Sequence, residues 1–244
     1  MKTLKRLLLL FSLLISLSAF SGAGGGNGGD GVYIGEKLYL LDLVEYGIEN
    51  SVVFDEEENT QVSAQVRSTL RADQFPVELI SKKLSEIYKV DRLFAYSMIK
   101  VLKSFRWNLV SKELINIKDE NAAINSSFVQ LAIRKNRSVM IDKNLWAKLD
   151  PANQAALIFH ELLYVMVIPT PSATNPAVFW QNSALAREMA GYLMSSDLKK
   201  GGKEVLYTMI INKIGAMVET DPARVHAEYV SFLAGIKVTV KDTD

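Results

Sequence analysis

One stretch of this chain admits few structures. From Ala155 to Ile168 every side chain is apolar except His160, Glu161 and Tyr164. Asp150 just ahead is a good N-cap residue and Pro151 suits the first helical position, so the spacing predicts a helix starting there. A helix that is apolar on every side belongs in an interior. A buried carboxylate without a partner is costly, so His160 and Glu161 need protein partners, an ion or a cavity. The remaining chain has to wrap this helix and satisfy those two groups.

There is enough chain to do so. The protein has 244 residues, 49% hydrophobic and 23% charged, sufficient for an independent core. Its formal net charge of +1 is too close to zero for a dedicated nucleic-acid binder. Cysteine is absent, which excludes disulfide scaffolds, Cys-ligated zinc, iron–sulfur clusters and thiol nucleophiles. Only two histidines, His160 and His226, are present to support metal chemistry.

The N-terminus carries Lys2, Lys5 and Arg6, then an apolar run from Leu7 to Phe20, then small residues around Gly22 and Ala23. The run is too short for the roughly 30 Å hydrocarbon core of a bilayer, and the pattern reads as a cleaved signal peptide over 1–23. An uncleaved anchor is the rival reading. Cleavage removes three cations and no acid, taking the charge from +1 to −2. The expectation is an exported, periplasmic or secreted protein of a Gram-negative cell, without a stable membrane span after cleavage. Residues 24–31, nearly all glycine, are expected to form a flexible leader. They lack the strand, helix and lysine that a phosphate-cradling loop requires. A single domain over 32–244 follows.

Within it, residues 32–34 and 38–41 read as two short strands about Gly35, and Asp42 as the cap of a short helix ended by Gly47. The acids around 55–58 lack the spacing of a calcium loop and belong on a solvated face. Apolar residues recur at helical spacing from Phe75 to Tyr88, and Asp91 caps a further helix. Gln130–Arg134 and Ser138–Asp142 alternate as a β-hairpin around Asn136. Helical patterning returns over 176–196, 203–219 and 222–235, and 237–241 alternates like a strand. The expected fold is α+β and mainly helical, with a small antiparallel hairpin packed beside the buried helix.

The sequence His160-Glu161-Leu-Leu-Tyr164 resembles the active-site helix of zincin metallopeptidases, in which two histidines one turn apart bind zinc and the intervening Glu activates the metal-bound water. The hairpin ending at Asp142 resembles the edge strand that zincins set beside that helix. The likeness spans about residues 129–168 and implies a zincin-like fold with His160 as a metal ligand and Glu161 as general base. It departs from the motif at the second histidine, occupied here by Tyr164, and a phenol is costly to ionise at neutral pH. In one zincin clan a Glu on the next helix is the third ligand; Glu188 stands in a comparable place, and His226 is the other candidate. Together with Leu40-Leu41-Asp42-Leu43, Gln130–Arg134, Ser183 and Arg187, the chain looks like an uncharacterised family of exported bacterial proteins. That likeness implies export and fold kinship, and no substrate.

Two functional readings result. In the first, the motif is degenerate: no cofactor is expected, Glu161 pairs with Arg187, and the protein acts by binding or structure on an envelope protein, peptide or glycan. In the second, the chain is an atypical zinc-dependent hydrolase with Glu161 as base, Tyr164 assisting and His160 as ligand, aided by Glu188 or His226. Ser183 and Arg187, one turn apart, would then line the pocket. A glycan-active carboxylate pair built on Glu161 is the remote third.

Overall fold

The computed structural model describes residues 26–27, 29–114, 128–135, 137–166, 184–218, 230–231 and 234. In chain order the elements are β1 (Gly26–Asn27), β2 (Asp30–Ile34), β3 (Lys37–Leu40), α1 (Leu41–Tyr46), α2 (Thr60–Arg67), α3 (Val77–Val90), α4 (Arg92–Ser104), β4 (Arg106–Val110), β5 (Phe128–Gln130), β6 (Ala132–Lys135), β7 (Ser138–Asp142), α5 (Lys143–Trp146), α6 (Pro151–Met166), α7 (Ala184–Met194) and α8 (Asp197–Val218). The class is α+β and mainly helical, as the patterning predicts. No helix of the described residues is long and apolar enough to cross a membrane.

The buried helix is α6, which opens as its sequence dictates. Asp150 Oδ1 accepts from the Asn153 N–H at 2.8 Å, so the N-cap supplies an acceptor for a first-turn donor. Ala155, Ala156, Leu157, Ile158, Phe159, Leu162 and Leu163 are all buried. Helices α1, α3, α4 and α7 and strand β3 pack around them. Burial on that scale, at about 25 cal/mol per Å² of apolar surface, makes α6 the centre of the hydrophobic core.

The strands form two small sheets, ordered β1-β6-β7-β4 and β3-β2-β5. Only β4 and β7 pair in parallel. The predicted hairpin is the β6–β7 pair, with Lys135 opposite Ser138. The two sheets share a seam. Gly26 and Asn27 pair with Arg134 and Ile133, and Asp30, Gly31 and Val32 pair with Gln130, Val129 and Phe128. Both sets keep one register, so 26–27 and 30–32 pair in line along 128–134, and the pairing switches sheets at Gly29 and Leu131.

This ladder corrects the expectation of a flexible leader over 24–31: Gly26–Asn27 is a strand, and Gly29, Asp30 and Gly31 are buried. The fold begins ahead of residue 32. The glycines are there for close approach. A Cβ on Gly29 would fall 2.2 Å from Leu157 Cδ1 of α6, so no larger residue fits unless the Leu157 side chain moves. The short helix after β3 forms and ends on Gly47 at φ 74°, but its N-cap is Leu40 and Asp42 lies inside its first turn. Element α8 is two helices joined at a kink: a short one starts at Asp197, and the predicted one follows the glycine pair, set off by the non-helical Gly202 (φ 59°, ψ −154°). The signal peptide, the helix predicted from 176 as far as Ser183, nearly all of 222–235 and the tail over 237–241 lie outside the described residues.

Candidate functional site

Although buried, α6 carries one polar row, and the row faces the N-terminal segment. Asn153 Oδ1 accepts from the Leu40 N–H at 2.8 Å, where β3 turns into α1. One turn on, Leu157 meets Gly29. Then come His160, Glu161 and Tyr164. Positions spaced three and four apart share a helix face, and this face meets Gly29, Leu40 and Asp42.

Glu161 completes a gap in the ladder. The Leu131 N–H donates to the Gly29 carbonyl at 3.0 Å, but the reciprocal bond is not made. The Leu131 carbonyl instead accepts from the Asp142 N–H at 3.0 Å, and the Gly29 N–H donates to Glu161 Oε1 at 2.9 Å. A buried backbone donor left without an acceptor costs about 1–3 kcal/mol. Glu161 removes that cost at the point where the chain changes sheets. Its second oxygen, Oε2, faces Arg134 Nε at 3.0 Å as an ion pair. Arg134 also stacks on Tyr164, with its guanidinium carbon 3.9 Å from the ring centroid.

His160 Nδ1 lies 2.7 Å from Asp42 Oδ2, both side chains being fully buried. Burial works against charge on the imidazole. The Asp42 carboxylate outweighs it, with Glu161 adding to the pull and Arg134 opposing, and holds the His160 pKa above its ordinary value. The cluster therefore contains two pairs, Asp42 with His160 and Glu161 with Arg134. Asp42 Oδ1, His160 Nε2, Glu161 Oε2 and the Nε and Nη2 of Arg134 are buried without hydrogen-bond partners, so Glu161 and Arg134 meet as a charge contact and not as a hydrogen bond.

The other expected site residues are placed differently. Glu161 does not pair with Arg187, because Arg187 Nε donates to Glu45 Oε2 at 2.7 Å across α7 and α1. Glu188 is exposed on α7, away from the buried His160, and lines a cleft with Tyr46 and Tyr192. Ser183 and His226 lie outside the described residues. Asp42 and Arg134 are the participants that the sequence reading did not single out as site residues. A signal existed for Asp42, an acid set between Leu41 and Leu43 in an otherwise apolar run.

Does this donor set suit zinc? A catalytic zinc is normally held by three protein ligands. The described residues bring one imidazole, a carboxylate already facing a guanidinium, and a phenol covered by that same guanidinium. No group of three His, Asp or Glu among the described residues is disposed to hold a metal ion. A dication beside Glu161 would also meet the Arg134 charge at close range. The described residues do not fit a zinc centre. Comparison of the chain with family models, with curated proteins and with solved structures finds no match in any of the three.

Proposed function

We propose that this is an exported protein whose zincin-like helix is architectural, and that it acts by binding or structure in the cell envelope rather than by hydrolysis. The supporting observation is that both oxygens of Glu161 face groups of the protein itself, Oε1 by a hydrogen bond and Oε2 as an ion-pair contact without one. A general base needs a free oxygen within reach of the proton it abstracts. Here one oxygen takes the Gly29 N–H and the other faces Arg134. Arg134 supplies the positive charge that the resemblance would assign to zinc. The motif holds the N-terminal ladder on the core helix, and an envelope protein, peptide or glycan remains the expected partner class.

The test is elemental mass spectrometry of the purified chain and of a His160→Ala variant, alongside a peptide-library cleavage assay. The expected result is no stoichiometric metal, no metal-dependent cleavage, and a clear loss of stability in the variant. About one zinc per chain, lost in His160→Ala, with cleavage abolished by Glu161→Gln, would establish the zinc-dependent hydrolase instead. One observation favours that second reading. A metal-bound imidazole is typically oriented by a carboxylate on its other nitrogen, and His160 has Asp42 on Nδ1 with Nε2 unpartnered.

A further inference from the structure

We propose that the cleft between α1, α7 and the start of α8 binds a small organic cation, an ammonium group carried on a short aliphatic chain. This site is remote from the His160 cluster in its residues, and the proposal does not rest on the role assigned there.

The cleft encloses about 490 Å³ and is lined by Tyr46, Glu188, Tyr192, Asp197, Val205 and Met209, with Lys200 and Gly201 at its side. Glycines build its walls. A Cβ on Gly191 would fall 2.4 Å from Tyr46 Cγ, so the Tyr46 ring lies directly on the backbone of α7. A Cβ on Gly201 would fall 2.8 Å from the Tyr192 hydroxyl. Gly202, at positive φ, breaks α8, and its carbonyl accepts from that hydroxyl at 2.9 Å. The Tyr46 hydroxyl donates to Asp197 Oδ2 at 3.2 Å. Both phenols are thereby fixed in place.

The chemistry of this lining selects a cation. Glu188 and Asp197 both line the cleft beside Tyr46, so it carries two carboxylates. Glu188 is exposed and has no ion-pair partner among the described residues. Asp197 already takes an ammonium: Lys200 Nζ stands 3.4 Å from Oδ1 on a side chain that is 73% exposed. A ligand ammonium can take the place of that exposed one, beside the carboxylates and the half-buried Tyr46 ring. Val205 is one of the few large apolar side chains left exposed, and with Met209 it offers a surface to an alkyl chain. An anion would meet two carboxylates against one mobile lysine. A neutral apolar ligand would leave Glu188 without a counter-charge.

The experiment titrates the full chain with n-butylammonium chloride by calorimetry, with 1-butanol and sodium butyrate as matched controls. The expected result is saturable one-site binding of the ammonium, about tenfold or more weaker binding of the alcohol, and none of the carboxylate. Glu188→Gln, a change at an exposed position that leaves the melting temperature unchanged, should weaken ammonium binding about tenfold. Lys200→Ala should strengthen it, because the competing ammonium is gone. Equal affinity for butanol, unaltered affinity in Glu188→Gln, or the absence of saturable ammonium binding would each overturn the proposal.

Discussion

Two buried ion-pair sites in this protein behave in opposite ways. In α3, Lys83 Nζ and Glu86 Oε2 are 2.7 Å apart, three residues apart in sequence, and almost wholly excluded from solvent. In the α6 cluster, His160 finds Asp42 across 118 positions, and Glu161 takes a backbone donor from 132 positions away. At Lys83 burial wins: desolvation pulls the ammonium pKa down despite the Glu86 carboxylate. At His160 the carboxylate wins, and the pKa rises. A local pair is a by-product of burying one helix. A long-range cluster that also satisfies a backbone donor helps to fix the tertiary arrangement.

The comparison breaks first at Glu161. Glu161→Ala leaves the buried Gly29 N–H without an acceptor and Arg134 without its carboxylate, and should cost about 3–5 kcal/mol by urea denaturation. A loss below about 1 kcal/mol would mean that water replaces the carboxylate. Gly29→Ala comes next. Its Cβ has no room against Leu157, so it should cost about 1–3 kcal/mol, and Leu157→Ala in the same chain should recover part of that loss. Additive losses in the double variant would show that the close approach is not what demands glycine.

Replacing the α3 pair by apolar residues, Lys83→Met with Glu86→Leu, should leave stability unchanged or raise it by about 1–2 kcal/mol. The corresponding Arg134→Met with Glu161→Leu should destabilise, because it still orphans Gly29. A loss of similar size in both double variants would erase the distinction.

The smallest effect is the pH dependence. His160 has a folded pKa above its unfolded value near 6.5, so its stabilising contribution is complete below that value and is lost as pH rises through the folded pKa. The groups facing it are Asp42 from α1, Glu161 from α6 and Arg134 from β6. The urea midpoint should decline on the alkaline side, by at most about 1.4 kcal/mol per pH unit from this group. Asp42→Asn should flatten that decline. A midpoint insensitive to pH across neutrality in both proteins would mean that His160 is neutral when buried.

Much of this was legible in the chain itself, where local chemistry decides. The Asp150-Pro151 start of α6, the Asp91 cap of α4, the hairpin around Asn136 and the αL glycine after α1 all follow from propensities within a few residues. The apolar run from Ala155 to Ile168 announced both a buried helix and the need to satisfy His160 and Glu161. It did not say with what. The glycines at 24–31 read as a leader because glycine is flexible in isolation; in the fold Gly29 is what lets the chain lie against α6. Arg187 and Arg134 were equally eligible partners for Glu161, since charge and spacing do not separate them. Asp42 had the composition of a helix cap and became a buried counter-ion.

The sequence by itself determined which segment had to be buried and that it carried two polar groups in need of partners. Only the tertiary structure decided that those partners are Asp42, Arg134 and the Gly29 backbone. The reason is physical: the burial of a side chain follows from its own hydrophobicity and its neighbours along the chain, whereas the partner of a buried charge is fixed by which distant residues the packed core brings within 3 Å of it.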